Sequence, residues 1–258
     1  MNIDDDLISR VVFYPRKIRK PSQLTSNIKT LEFEVEPGVS LGGLCFINDK
    51  DLPTIFLFHG NGEIAADYQY FASSYFDCNV NLAVIDFRGY GFSSGKPYYS
   101  SLITDAYPVY IQFEKWIDEN QMNDSIFVKG RSLGSTCAAE IGSHNPKRLK
   151  GIIFESGFGS LYKMMTGLFN IHHPDVTPEL LSPISNDRRI KKIEKPTLIL
   201  HGTSDFIIPS EQANIIHDSL PEKTYKKLIL IQGAGHNDIA MYKDEYYPPI
   251  KNFIQEFK

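Results

Sequence analysis

The chain has 258 residues, 42% of them apolar, and its 27 basic and 31 acidic side chains give a net charge of −4. That is enough apolar matter for a substantial core, and the mixed charge, with no long run of one sign, excludes a nucleic-acid footprint or a polybasic membrane patch. No apolar run is long enough for a membrane segment, and the acidic start Met1-Asn2-Ile3-Asp4-Asp5-Asp6 lacks a signal-peptide core.

In chain order, residues 29–36 and 40–47 alternate about Pro37-Gly38 and predict an antiparallel hairpin. Short apolar runs then recur at 54–58, 82–85, 126–128, 151–154, 197–200 and 227–231. Between and after them lie helical-length segments near 64–76, 101–119, 133–145, 187–194, 210–219 and 238–257. Apolar strands alternating with helices predict an α/β fold with a parallel sheet covered on both faces. Ligands bind such sheets beyond the carboxyl ends of the strands, so functional residues belong just after the runs. Those positions hold His59-Gly60-Asn61-Gly62, Asp86-Phe87-Arg88-Gly89-Tyr90-Gly91, Gly130-Arg131-Ser132-Leu133-Gly134, His201-Gly202-Thr203-Ser204-Asp205 and Gly233-Ala234-Gly235-His236-Asn237-Asp238. Cys45, Cys78 and Cys137 are scattered without C-x-x-C, which predicts reduced, buried side chains in a cytoplasmic protein.

The third of these places a serine between a strand and a helix in Gly-x-Ser-x-Gly, a sharp turn that presents the hydroxyl above the sheet. A serine hydroxyl needs a base, an acid that orients the base, and donors for the oxyanion. His236 after the last strand serves as base and Asp205 after the preceding one as acid, with Glu155 the alternative acid. The backbone N–H groups of Leu133 and Asn61 are the expected oxyanion donors. Gly91-Phe92-Ser93-Ser94-Gly95 also fits Gly-x-Ser-x-Gly, but Lys96-Pro97 follows, so no helix starts behind Ser93. Asp86 is expected to anchor the Arg88 loop, and Asp238 to cap the final helix or tune His236. His172-His173 have no partners at metal spacing, and no metal is expected.

On these five motifs the chain resembles the α/β-hydrolase superfamily over nearly its whole length, and within it the Bem46-like hydrolases and the α/β-hydrolase-domain depalmitoylases. The order Ser132, Asp205, His236 is that superfamily's order of nucleophile, acid and base. The resemblance implies an eight-stranded, mostly parallel sheet with helices on both faces and a cap after the sixth strand. It marks the Ser93 segment as a structural loop. The cap here is short, about 156–195 of a single domain spanning 1–258. Phe158, Leu161, Met165, Leu168 and Phe169 recur in it at helical spacing, a stripe that either packs on the domain or in part lines an acyl pocket.

The expected activity is hydrolysis of a small-molecule carboxylic ester or thioester through an acyl-enzyme on Ser132, with no cofactor. An exopeptidase or amidase on the same triad would need a carboxylate such as Glu155 or Glu63 to hold the substrate amine. A non-catalytic binding protein is the third reading. Aspartate in place of Ser132 would have indicated dehalogenase or epoxide-hydrolase chemistry.

Overall fold

In the computed structural model, which describes residues 6–174 and 176–258, eight strands form one sheet. The acidic start at residues 1–5 lies outside the described residues. The strands are β1 (Ile28–Glu36), β2 (Val39–Phe46), β3 (Thr54–Phe58), β4 (Asn81–Ile85), β5 (Ile126–Arg131), β6 (Leu149–Glu155), β7 (Thr197–Gly202) and β8 (Lys226–Ile231), in the order β1-β2-β4-β3-β5-β6-β7-β8. The β1–β2 hairpin and the β2–β4 pair are antiparallel, and every pair from β4 through β8 is parallel. The order reverses at β3, so the two halves part beside β5 and leave a crevice above its carboxyl end.

The helices are α1 (Asp6–Val12), α2 (Ala72–Phe76), α3 (Tyr99–Thr104), α4 (Ala106–Glu119), α5 (Ser135–Ser143), α6 (Leu161–Lys163), α7 (Pro178–Leu181), α8 (Asn186–Ile190), α9 (Glu211–Ser219) and α10 (Lys243–Phe257). Alternation along each strand feeds two cores. Phe56, Phe58 and Val128 pack with Phe113 of α4 and Ala138 of α5 on one face. Ile55, Leu57 and Phe127 pack with Tyr75 of α2 and Phe253 of α10 on the other. Central strands are therefore buried almost throughout and mostly apolar, as a sheet covered on both sides requires. The outer strands β1 and β8 are less covered, and Leu230 of β8 is 38% exposed. As edge strands they have a neighbour on one side only.

Three predicted helices are broken, one of them near 238–257, where a 3-10 turn at Ile239–Met241 precedes α10. Near 64–76 the chain forms a 3-10 turn at Ala65–Tyr70 before α2. Near 101–119 it divides at Asp105, because Pro108 has no N–H to give the carbonyl of Thr104. The segment between β6 and β7 holds only short pieces: α6, a π turn at Met164–Leu168, α7, a 3-10 turn at Ser182–Ile184 and α8. No helix among the described residues is long and apolar enough to cross a membrane.

Candidate active site

β5 ends at Arg131, a 3-10 turn takes Ser132–Gly134, and α5 begins at Ser135. Ser132 sits at φ 51°, the left-handed region that a side chain with a Cβ adopts only under constraint. The flanking glycines supply that constraint. A Cβ on Gly134 would lie 2.1 Å from the Phe58 carbonyl oxygen, and one on Gly130 would lie 2.5 Å from the Gly134 carbonyl oxygen. The Gly-x-Ser-x-Gly pattern is thus a packing requirement of the tight turn, and it leaves Ser132 buried but lining a cavity.

The loops after β7 and β8 complete a hydrogen-bonded line. His236 Nε2 lies 2.9 Å from Ser132 Oγ, and its Nδ1 lies 2.7 Å from Asp205 Oδ2. Asp205 Oδ1 accepts from the backbone N–H groups of Ile207 and Ile208 at 3.0 and 2.8 Å. His201 Nε2 stands 3.4 Å from Asp205 Oδ2 and 2.8 Å from the Ile208 carbonyl. Burial alone would raise the Asp205 carboxyl, but bonds from His201, His236 and the Ile208 amide hold it well below the ordinary carboxylate range. An ionised carboxylate there favours the imidazole with a proton on Nδ1 and leaves Nε2 as an acceptor facing Ser132 Oγ.

The side chain of Asn61 is fully engaged. Its Nδ2 donates to the Val12 carbonyl at 2.6 Å, and its Oδ1 accepts from the Tyr14 amide at 3.0 Å and the Tyr90 hydroxyl at 2.6 Å. Asn61 and Leu133 both line the cavity. The N-terminal segment that holds Asn61 carried no motif; Tyr14 also forms part of the wall.

That cavity, of about 290 Å³, is bounded by Ser132, Leu133, His236, Tyr99, Phe158, Leu161, Met164, Leu168, Phe169, Ile207 and Ile208 among others. Met165 does not reach it: the side chain is fully buried in the core, and Met164 takes its place. The predicted α-helical spacing fails because the Phe169 amide reaches back five residues to the Met164 carbonyl at 3.2 Å, and this π turn rotates the register.

A buried ionic cluster lies on the other face of β5. Lys129, fully buried, pairs with Glu155 Oε2 at 2.6 Å and donates to the hydroxyls of Tyr75, at 2.6 Å, and Tyr246. Burial opposes ionisation of Glu155, yet Lys129 and Arg131 bring its carboxyl down to about 2. Glu155 is therefore a structural counter-ion set apart from His236, where the sequence left it open as an alternative acid. No sequence pattern announced the cluster, whose members come from β5, β6, α2 and α10.

The structure places the remaining candidates as follows. Asp86 meets the Arg88 loop through its carbonyl, which accepts from the Ser93 hydroxyl, while its side-chain Oδ1 accepts from the Ala65 amide at 2.7 Å and lies 3.3 Å from His59 Nε2. Arg88 itself is held by Asp105 and Glu36. Asp238 does not cap α10, since its Oδ1 accepts from the Gly235 amide at 2.6 Å and so braces the His236 loop. His172 and His173 are exposed, and no group of three potential ligands able to hold a metal occurs among the described residues.

Ser93 is buried in a purely structural role. Its hydroxyl donates to the Asp86 carbonyl at 2.9 Å and accepts from the Gly42 amide at 2.8 Å. Ser93→Ala is expected to lower stability by about 1–3 kcal/mol, because a buried N–H loses its acceptor. Chemical denaturation measures that loss, while labelling by a fluorophosphonate should remain at the wild-type level.

Residues 50–183 match the family Hydrolase_4, described as serine aminopeptidase, S33. The protein bem46 of Schizosaccharomyces pombe is 26% identical over 92% of this chain and 79% of its own length. The human alpha/beta hydrolase domain-containing protein 17B is 26% identical over 79% of this chain, which spans 66% of that protein. Among solved structures, an esterase of Pyrococcus furiosus superposes with a TM-score of 0.73 at 20% identity, over 94% of this chain and 98% of that one. Est1E of Butyrivibrio proteoclasticus gives 0.68 at 16% identity, over 88% and 98%. At these identities the structures speak for the fold.

Proposed function

The chain belongs to the Hydrolase_4 family, in the Bem46-like branch of the α/β-hydrolases, and from that premise we propose that it is a serine hydrolase of carboxylic esters or thioesters with an apolar acyl group. The observation that carries the reading is the line Ser132–His236–Asp205 opening onto a cavity walled mostly by apolar side chains. Ser132 Oγ attacks the substrate carbonyl carbon while His236 Nε2 takes its proton. The backbone N–H groups of Leu133 and Asn61 hold the oxyanion. His236 then protonates the departing alcohol or thiol, and the acyl group stays on Ser132. Water, deprotonated by His236, releases the acid and restores the serine. Asp205 keeps the imidazole oriented and stabilises its charged form. The residues 156–195 act as a short cap whose Phe158, Leu161, Met164 and Leu168 receive the acyl chain.

The family's description favours a second reading, an aminopeptidase. That chemistry calls for a carboxylate free to bind the substrate's ammonium. Glu63 borders the cavity, but its Oε1 lies 2.9 Å from Arg131 Nε, and its Oε2 accepts from the Gly60 amide at 3.0 Å and the Tyr68 hydroxyl at 2.8 Å. Glu155 is spoken for by Lys129. With both acids neutralised, the cavity favours an uncharged acyl group. The test compares p-nitrophenyl esters of several chain lengths with aminoacyl p-nitroanilides. Faster turnover of the esters supports the proposal; faster turnover of the anilides sinks it.

Met164→Ala should change the acyl preference. Opening the wall by several heavy atoms is expected to shift relative kcat/KM toward longer chains by about 10-fold, the scale of one or two methylenes in an apolar pocket. An unchanged chain-length profile would place the acyl group elsewhere.

A further inference from the structure

Arg131 precedes the nucleophile, at a position the motif leaves open. Its side chain, only 11% exposed, touches two of the loops that meet at Ser132 and the end of the neighbouring strand β6. Arg131 Nε lies 2.9 Å from Glu63 Oε1, in the loop after β3 that carries Asn61. The same nitrogen lies 3.5 Å from Glu155 Oε1 at the end of β6, the residue paired with Arg131 in the sheet. Its Nη2 donates to the Oδ1 of Asn237 at 3.2 Å, and Asn237 follows His236. Glu63 passes the connection on, because its other oxygen accepts from the Gly60 amide at 3.0 Å, one residue before Asn61. A chain of charge-assisted contacts therefore runs from the residue before the nucleophile to the residue before the oxyanion donor, and a branch runs to the residue after the base.

We propose that Arg131 is a positioning residue of this site: its planar fork sets the spacing of the nucleophile, the Asn61 loop and the His236 loop. This rests on the serine-hydrolase reading above. Arg131 reaches the reacting atoms only through its neighbours. Arginine suits the task because its nitrogens lie in one rigid plane and serve several acceptors at once, whereas lysine offers a single point charge on a flexible stem. The effect on rate follows from geometry, since a misplacement of about 1 Å in a catalytic group costs on the order of 100-fold.

The test is Arg131→Lys, which preserves the charge facing Glu63 and Glu155 but loses the fork. The expected variant keeps a melting temperature near the wild type's and one fluorophosphonate label per chain. Its KM for a p-nitrophenyl ester stays within about 2-fold, and its kcat falls by about 10-fold or more, part of the loss that one missing oxyanion donor causes. Glu63→Gln should lower kcat in the same direction, and the double variant should be no slower than Arg131→Lys alone, because both break one connection. An undiminished kcat in Arg131→Lys overturns the proposal, as does a loss of kcat that only follows the loss of labelled, folded protein. If Arg131→Lys does not fold, Glu63→Gln decides alone: lowered kcat at unchanged KM supports positioning, and unchanged kcat overturns it. Failure of the underlying reading is distinct, because it shows as turnover surviving in Ser132→Ala.

Discussion

Ser132→Ala is expected to lower ester turnover by on the order of 10⁶-fold while leaving the fold intact. The loss is large because the nucleophile, base and acid act as one unit, and without an attacking oxygen His236 has no proton to take. The fold survives for a local reason. The left-handed turn at Ser132 is imposed by Gly130 and Gly134, which approach neighbouring backbone too closely for any side chain, and alanine asks no more room than serine. A small residual rate should remain, since the Leu133 and Asn61 amides and the apolar cavity still bind substrate. Initial rates with a p-nitrophenyl ester, beside a thermal melt, measure both. A variant within about 100-fold of wild type would remove Ser132 from the chemistry.

The second large effect is on stability. Lys129→Met is expected to lower the unfolding free energy by about 3–5 kcal/mol, because it removes the closer counter-ion of the buried Glu155 carboxylate and leaves it only Arg131, at 3.5 Å. Lys129 and Glu155 are both almost wholly buried, at 0% and 3% exposure, and Lys129 also holds the hydroxyls of Tyr75 and Tyr246. At roughly 2–4 °C per kcal/mol for a chain of this size, the melting temperature should fall by about 10 °C. Adding Glu155→Gln should recover part of the loss, since the penalty comes from the under-compensated charge. A wild-type melting temperature for Lys129→Met would mean that the pair contributes little. Its place below the site is informative: Arg131 and Lys129 stand on the same face of β5, so one cluster both anchors the strand and braces the nucleophile's neighbour.

Much of this site was legible because it is local. The elbow is a single run from strand to helix, and His236 and Asp205 each follow their own strand, so sequence order alone placed them at one edge of the sheet. The Asn61 loop was legible for the same reason. What escaped was set by contacts between distant segments. The Tyr14 amide holds Asn61 from 47 residues away, and nothing in the pattern of residues 6–14 announces it. The Lys129–Glu155–Arg131–Glu63 cluster is a charge pattern only in three dimensions; along the chain, Lys129 reads as an interruption of an apolar strand. Met164 replaced Met165 because a π turn is invisible to a count that assumes 3.6 residues per turn. Asp238 braces its own loop instead of capping α10, a choice between two backbone amides that composition does not decide.

The central claim is that Ser132 is the residue that takes the acyl group, and the most direct measurement is the site of covalent modification. The protein is treated with a fluorophosphonate, digested, and its modified peptide sequenced by mass spectrometry. One adduct per chain is expected, on Ser132, formed in step with loss of ester turnover and absent from Ser132→Ala. An adduct on Ser93 or any other residue, or full loss of turnover with Ser132 unmodified, would contradict it.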